Sequence, residues 1–272
     1  MKSVSNLTLT ALAAALLLGS APAMAQREGV EVGGNSGFTK LVPADEIEQA
    51  AKQQYAKMLQ EAASQKALAP ASSAQVQRLR RIAQRIIPQA TAWNPRAKDW
   101  QWEVNLIDSK QINAFCMPGG KIAFYTGILE QLQLNDDEVA MIMGHEMAHA
   151  LREHARERMG KSAATNIGAS LLSQLFGLGD LGQTVASYGV QLLNMSFGRE
   201  DESEADLVGL ELGARAGFDP RAGITLWQKM AAANKGAPPQ WLSTHPAGAT
   251  RIADMERNMP RVLPLYERTR KN

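Results

Sequence analysis

The alternation of apolar and polar positions predicts a small β-sheet near the middle of the chain. From Trp100 to Ile107 apolar side chains occur at every second residue, which is the pattern of a strand with one buried face. Two further short strands are predicted over residues 112–117 and 121–125, joined by the turn sequence Pro118-Gly119-Gly120. Helix-forming sequence occupies most of the remaining chain.

Helix start and stop signals predict a mostly helical protein. The clearest start is Asn135, a capping residue followed by three acids, and this helix is expected to run to about Arg158. Prolines and capping residues set the predicted bounds of the other helices: 44–66, 74 to about 87, 200 to about 216, 220 to about 233, and 246 to about 257. We therefore predict an α+β fold with a single domain over residues 41–272.

The segment 165–198 is apolar but is interrupted by glycines, by Asp180 and by Gln183. These interruptions make it a poor membrane span. Three interpretations remain open: a helical hairpin packed on the core, a mobile lid over an active site, or a peripheral contact with a membrane.

The first 25 residues have the features of a secretory signal sequence. Lys2 gives a positive start, residues 7–18 are apolar, and Ala23-Met24-Ala25 is a small-x-small cleavage site. We expect cleavage after Ala25, an exported protein, and a flexible mature N-terminus over residues 26–40. Because no cysteine stands near the cleavage site, we do not expect a lipoprotein.

The composition excludes several classes of protein. With 45% apolar and 21% charged residues, the chain has the balance of a globular protein. A formal net charge of +2 gives no electrostatic case for nucleic acid as a partner. Cys116 is the only cysteine, so neither an intramolecular disulfide nor a cysteine zinc cluster can form.

Two histidines and a glutamate form the motif that carries the chemistry. His145 and His149 are four residues apart, so on a helix both imidazoles leave the same face, one turn apart. Imidazoles placed in this way can bind one Zn²⁺, and Glu146 between them can reach a water bound to the metal. The motif predicts a catalytic zinc site with an open position, and a metallopeptidase as the leading interpretation.

The third ligand must come from another helix. Glu153 is eight residues from His145, about 12 Å along the helix axis and too far to share one ion. We choose Glu202, with Asp206 one turn later accepting a hydrogen bond from a ligand histidine. Glu204 faces elsewhere and is the choice only if the helix register is misjudged.

The remaining histidines have less certain places. His154 is five residues past His149, about 140° round the helix, so it is expected to be a solvated surface residue. His245 lies in a predicted loop, and three roles stay open for it: donor to the developing oxyanion, gating fourth ligand, or capped turn residue. Glu146 is the predicted general base.

Four separated motifs stand in one order along residues 75–257. HEMAH and ExEAD are preceded by Asn113-Ala114-Phe115 and Pro118-Gly119-Gly120, and they are followed by Thr244-His245-Pro246 with Arg251. Together they resemble the gluzincin family that contains the CAAX prenyl endoprotease and HtpX, and especially its soluble periplasmic members of the LoiP and BepA type.

The resemblance implies a zincin fold in which the edge strand of a small sheet flanks the active-site helix. Asn113, Ala114 and Phe115 would lie near that edge strand and bind the extended substrate backbone. It also implies one zinc ion per chain and a periplasmic endopeptidase that cleaves unfolded or misassembled envelope proteins. Peripheral contact with the membrane or with outer-membrane assembly machinery is compatible with it. The alternative is a latent or gated homologue that acts mainly as a chaperone or interaction protein.

Overall fold

The structure is a computed structural model. It describes residues 28–175, 192, 195–233, 240–246 and 250–271. Within them the strands are β1 (Glu103–Ile107), β2 (Ala114–Met117) and β3 (Lys121–Tyr125). The α-helices are α1 (Ala44–Ser64), α2 (Ala74–Ile86), α3 (Thr126–Gln131), α4 (Asp136–Leu151), α5 (His154–Leu175), α6 (Arg199–Arg215), α7 (Ala222–Ala233), α8 (Gln240–Thr244) and α9 (Arg251–Thr269). Short 3-10 helices are Gly37–Leu41, Ile87–Ala92 and Pro95–Lys98.

The three strands form one mixed sheet in the order β1-β3-β2. β1 pairs with β3 in parallel, and β2 pairs with β3 in antiparallel register, Cys116 opposite Ile122. β2 therefore has one side that no strand of the described chain covers, and this edge strand packs against α4. The predicted α+β fold with its small sheet beside the active-site helix is confirmed.

Helix α4 begins where the sequence predicts but ends earlier. Asn135 accepts a hydrogen bond from the Glu138 backbone, and the Glu138 side chain accepts one from the Asn135 backbone, which closes a capping box. The expected end near Arg158 is wrong, because α4 stops at Leu151, whose carbonyl accepts a hydrogen bond from Asn94. The chain then turns through a left-handed residue, Glu153 with φ of 60°.

Two glycines let α4 and α6 approach until their backbones touch. A Cβ on Gly144 would stand 2.7 Å from the carbonyl oxygen of Gly209, and a Cβ on Gly209 would stand 2.7 Å from the backbone nitrogen of His145. Larger residues at either position would force the helices apart. This contact places the N-terminal half of α6 beside the histidines of α4.

The last helix is longer than predicted. The expected end near Arg257 is wrong, because α9 continues to Thr269 through Pro260 and Pro264. Both prolines face solvent, where water can bind the carbonyls that lose their intrahelical partners. The buried residues Val262 and Leu265 face the core, and this packing outweighs the unfavourable prolines.

The segment expected to be a flexible N-terminus packs against the domain from Glu28 onward. Val30 is buried, and its backbone N–H donates to a Glu211 carboxylate oxygen at 2.8 Å. Arg152 donates to the carbonyl of Gly33. The 3-10 helix Gly37–Leu41 then packs on α5.

Part of the apolar segment 165–198 belongs to α5, which extends to Leu175. Most of the expected hairpin or lid, and the predicted signal sequence, fall outside the described residues. Among the helices of the described chain, none combines the length and the apolar character needed to cross a membrane.

Candidate metal centre and active site

Four buried side chains from three regions of the chain meet at one point. His145 and His149 come from α4, Glu202 from the first turn of α6, and His245 from the residue after α8. One ligand atom from each of the four lies within 4.8 Å of all the others. The structure thus brings together the three predicted metal ligands and adds His245 to them.

The separations in this cluster fit a tetrahedral ion. The Nε2 atoms of His145 and His149 are 3.1 Å apart. Nε2 of His145 lies 3.7 Å from Oε2 of Glu202, and Nε2 of His149 lies 3.4 Å from Oε1 of the same side chain. Ligand atoms about 2.0–2.1 Å from a zinc ion would be about 3.4 Å from one another. The two-histidine, one-carboxylate set therefore has the chemistry and the spacing that Zn²⁺ requires.

Two atoms of the cluster are buried without a hydrogen-bond partner. They are the Oε1 atom of Glu202 and the Nε2 atom of His245. A buried polar atom that lacks a partner is costly, and a cation between these atoms would satisfy both. This observation supports a metal at the point where the four side chains meet.

The ligand His145 is oriented by a carboxylate. Its Nδ1 lies 3.0 Å from an oxygen of Asp206, so Nδ1–H donates a hydrogen bond to this carboxylate and the Nε2 lone pair stays free for a metal. Arg251 binds both carboxylates behind the cluster, at 2.5 Å from Glu202 and at 2.5 and 2.6 Å from Asp206. Its guanidinium also stacks on Trp227, 3.8 Å from the ring centre.

Burial controls the protonation of the cluster. It raises the pKa of Glu202 to about 9, although the positive charge of Arg251 partly opposes the effect. Burial also tends to raise the pKa of Asp206, but Arg251 outweighs it and the pKa lies below its ordinary value. Burial lowers the pKa of His145, and lowers those of His149 and His245 further. Neutral imidazoles are the form that binds metal.

The predicted base Glu146 lies beside the metal cluster, held by a tryptophan. The indole N–H of Trp241 donates to Oε1 of Glu146 at 2.6 Å. Burial raises the pKa of Glu146 to about 8, against the opposite effect of this hydrogen bond. Nothing in the sequence pattern indicated Trp241, which comes from a short helix after a predicted loop.

His245 points its free nitrogen into the cluster. Its ring stacks on Trp241 with centres 4.7 Å apart, and its Nδ1 lies 3.1 Å from the carbonyl oxygen of Trp241. The Thr244 hydroxyl lies 3.0 Å from the same nitrogen. With Nδ1–H donating to the carbonyl oxygen, Nε2 carries a lone pair, 3.6 Å from Oε1 of Glu146. The geometry is that of a group available to a metal or to Glu146.

A cavity of about 320 Å³ connects the cluster with the edge strand. Glu146, His149 and His245 form one part of its wall, and the predicted substrate-binding residues form another: Asn113, Ala114 and Phe115. Cys116 is buried and also lines the cavity, and burial raises the pKa of its thiol well above the ordinary value.

His154 does not lie on the surface, and the expectation for it is wrong. The break after Leu151 turns His154 back toward the cluster, where it is 2% exposed and its Nδ1 lies 2.9 Å from Nδ1 of His149. Glu204 faces away from the metal ligands, as predicted from its spacing, and it contacts His154 and Arg152 instead. No local sequence signal marked the break, because neither glycine nor proline occurs there.

We expect Arg251→Met to destabilise the metal-free protein by about 3–5 kcal/mol, because the buried carboxylate of Asp206 would lose the cation that it is paired with. Urea denaturation in the presence of a chelator measures the free energy of unfolding. Arg221→Met is the matched control, since Arg221 forms an exposed pair with Asp219 and its loss should leave stability unchanged. Equal stability of the two variants would contradict the prediction.

Comparison with known proteins agrees with this geometry. Residues 73–259 match the model of Peptidase family M48. The chain is 39% identical over 150 residues to the mitochondrial metalloendopeptidase OMA1 of Arabidopsis thaliana, a match covering 55% of this chain and 30% of that protein. It is 30% identical over 202 residues to the metalloprotease LoiP of Escherichia coli, covering 74% and 77%.

The beta-barrel assembly-enhancing protease of Escherichia coli is 31% identical over 172 residues, covering 59% of this chain and 35% of that protein. The chain spans half or less of the length of the OMA1 proteins it matches. Zinc, the metal of this family, is also the metal that the cluster of histidines and glutamate fits. The resemblance seen in the motifs is confirmed, and the chain belongs to peptidase family M48.

Proposed function

We propose that this chain is a zinc-dependent endopeptidase that cleaves unfolded or misassembled proteins of the cell envelope. One observation carries the proposal: His145, His149 and Glu202 converge, and His149 and Glu146 line a cavity that the edge strand β2 also lines. A metal site alone is compatible with many hydrolases. A metal site facing an uncovered strand edge is suited to an extended polypeptide.

Each residue has a distinct part in peptide hydrolysis. His145, His149 and Glu202 would hold zinc, which when bound supplies Lewis acidity and lowers the pKa of a water. Glu146 accepts the proton of the attacking water at its carboxylate and later donates it to the leaving amine. Trp241 orients that carboxylate through the 2.6 Å hydrogen bond, and burial favours a base able to hold the proton between the two steps.

The substrate class follows from the shape of the site. The edge of β2 that no described strand covers can pair with a main chain only where that chain is extended and has no other strand partner. Folded proteins expose few such segments, whereas unfolded or misassembled proteins expose many. The name of the beta-barrel assembly-enhancing protease supports an envelope role for this chain too.

Location in the periplasm is part of the proposal and rests on the signal sequence. N-terminal sequencing of the protein recovered from the periplasm of a bacterial host should begin at Gln26, because Ala23-Met24-Ala25 fits a leader peptidase. Full-length protein that still begins at Met1 and stays in the cytoplasm would contradict this part alone.

A second candidate, a latent or gated protease homologue with a chaperone or interaction role, has one observation in its favour. The Nε2 atom of His245 stands with the three metal ligands and has no hydrogen-bond partner. As a fourth ligand it would fill the position that catalysis needs open. With His245 in the fourth position, the protein would bind substrate but cleave it slowly.

Glu146→Gln should retain about one zinc per chain and should slow casein cleavage by about 10²–10⁴-fold, because the ligands remain while the proton acceptor is lost. Metal content by atomic emission and the release of labelled casein fragments measure both quantities. Glu130→Gln, at an exposed position of α3, is the control and should cleave like the wild type. Unchanged cleavage by Glu146→Gln would refute the assigned base.

His245→Ala separates the roles left open for His245. If His245 gates the site as a fourth ligand, the variant cleaves casein faster than the wild type and still holds one zinc. If His245 donates to the oxyanion, the variant cleaves casein about 10²–10³-fold more slowly than the wild type. Cleavage at the wild-type rate would indicate that His245 only stabilises the turn in which it lies.

A further inference from the structure

We propose that His154 is a positioning residue, which sets the tautomer of the ligand His149 and is itself oriented by Glu204. The proposal rests on the zinc-binding part of the proposed function. It concerns how the chain prepares one of its ligands, and it involves a histidine outside both metal-binding motifs.

The rings of His149 and His154 are within hydrogen-bond distance of each other. Their Nδ1 atoms are 2.9 Å apart, and both side chains are almost fully buried, at 3% and 2% exposure. At that distance one nitrogen carries hydrogen and the other accepts it, because two lone pairs would repel. The tautomer of His149 depends on which of the two rings donates this hydrogen bond.

Glu204 decides the direction of this hydrogen bond. One of its carboxylate oxygens lies 3.4 Å from Nε2 of His154, and an ionised carboxylate only accepts. Its other oxygen accepts a hydrogen bond from the guanidinium of Arg152, and a carboxylate in such an ion pair acts as an acceptor. His154 therefore carries hydrogen on Nε2 and has a lone pair on Nδ1.

The consequence reaches the metal ligand. Because Nδ1 of His154 accepts, Nδ1 of His149 must donate, and Nε2 of His149 keeps its lone pair. That Nε2 atom lies 3.1 Å from Nε2 of His145 and 3.4 Å from Glu202, on the side where the metal would bind. The ring is also clamped by Phe197, stacked at 3.9 Å between centres.

The two ligand histidines are thus prepared in different ways. His145 meets a carboxylate directly, Asp206 at 3.0 Å. For His149, α4 ends two residues later, and no acid of α6 in the described chain stands within hydrogen-bond distance of its Nδ1. The imidazole of His154 therefore connects His149 to the carboxylate of Glu204. The left-handed turn at Glu153 is what brings His154 into this place.

His154→Leu and His154→Asn test the proposal as a matched pair. Leucine removes the acceptor, whereas the asparagine amide oxygen occupies nearly the position of Nδ1 and can accept the His149 proton. We expect zinc affinity, measured by competition with a chromophoric chelator, to fall about 10–100-fold in His154→Leu and to be largely retained in His154→Asn. Thermal unfolding of both metal-free variants establishes that they fold.

Equal zinc affinity of His154→Leu and wild type would overturn the inference while leaving the proposed function intact. A wild type that binds no zinc would overturn both. If His154→Leu does not fold, ¹⁵N-edited spectra of the zinc-loaded wild type decide: hydrogen on Nε2 of His154 and on Nδ1 of His149 supports the inference, and hydrogen on Nδ1 of His154 refutes it.

Discussion

The contact between α4 and α6 through Gly144 and Gly209 sets the geometry of the site. Glycine weakens the interior of a helix by about 1 kcal/mol relative to alanine, and here both helices carry one where they cross. With the backbones touching, the short carboxylate side chains of α6 reach the imidazoles of α4. A side chain of ordinary size at the crossing would leave Glu202 short of the histidines, whatever the local sequence of either helix.

The same closeness concentrates acidic side chains in the interior. Glu146, Glu202 and Asp206 are buried together, and within the described chain Arg251 is the cation bonded to two of them. Desolvation of these acids opposes folding, and part of that cost is recovered only when a divalent ion joins the cluster. Metal binding and stability are therefore coupled, and the helix α9 that carries Arg251 belongs to the site as much as to the scaffold.

The fold class, the sheet and the pairing of His145 with His149 could be predicted, because they depend on local periodicity and on i, i+4 spacing. The choice of Glu202 rests on its own motif, and its approach to the two histidines depends on the crossing of α4 and α6. His145 and His149 share a helix, so their relation is independent of tertiary structure. The end of α4 depends instead on Asn94, a residue 57 positions away that binds the carbonyl of Leu151. A continuous helix would carry His154 to the surface, and that tertiary hydrogen bond is why the surface prediction failed.

The packed N-terminal segment begins beside the last helix, α9. Glu28 pairs with Arg268 at 2.5 Å, and Glu31 lies 3.4 Å from Arg261. The two ends of the described domain are therefore neighbours on one face. Domains with adjacent termini can be joined to, or inserted into, other polypeptides with short connections and little disturbance of the core. This architecture makes the catalytic unit transferable between proteins of very different length.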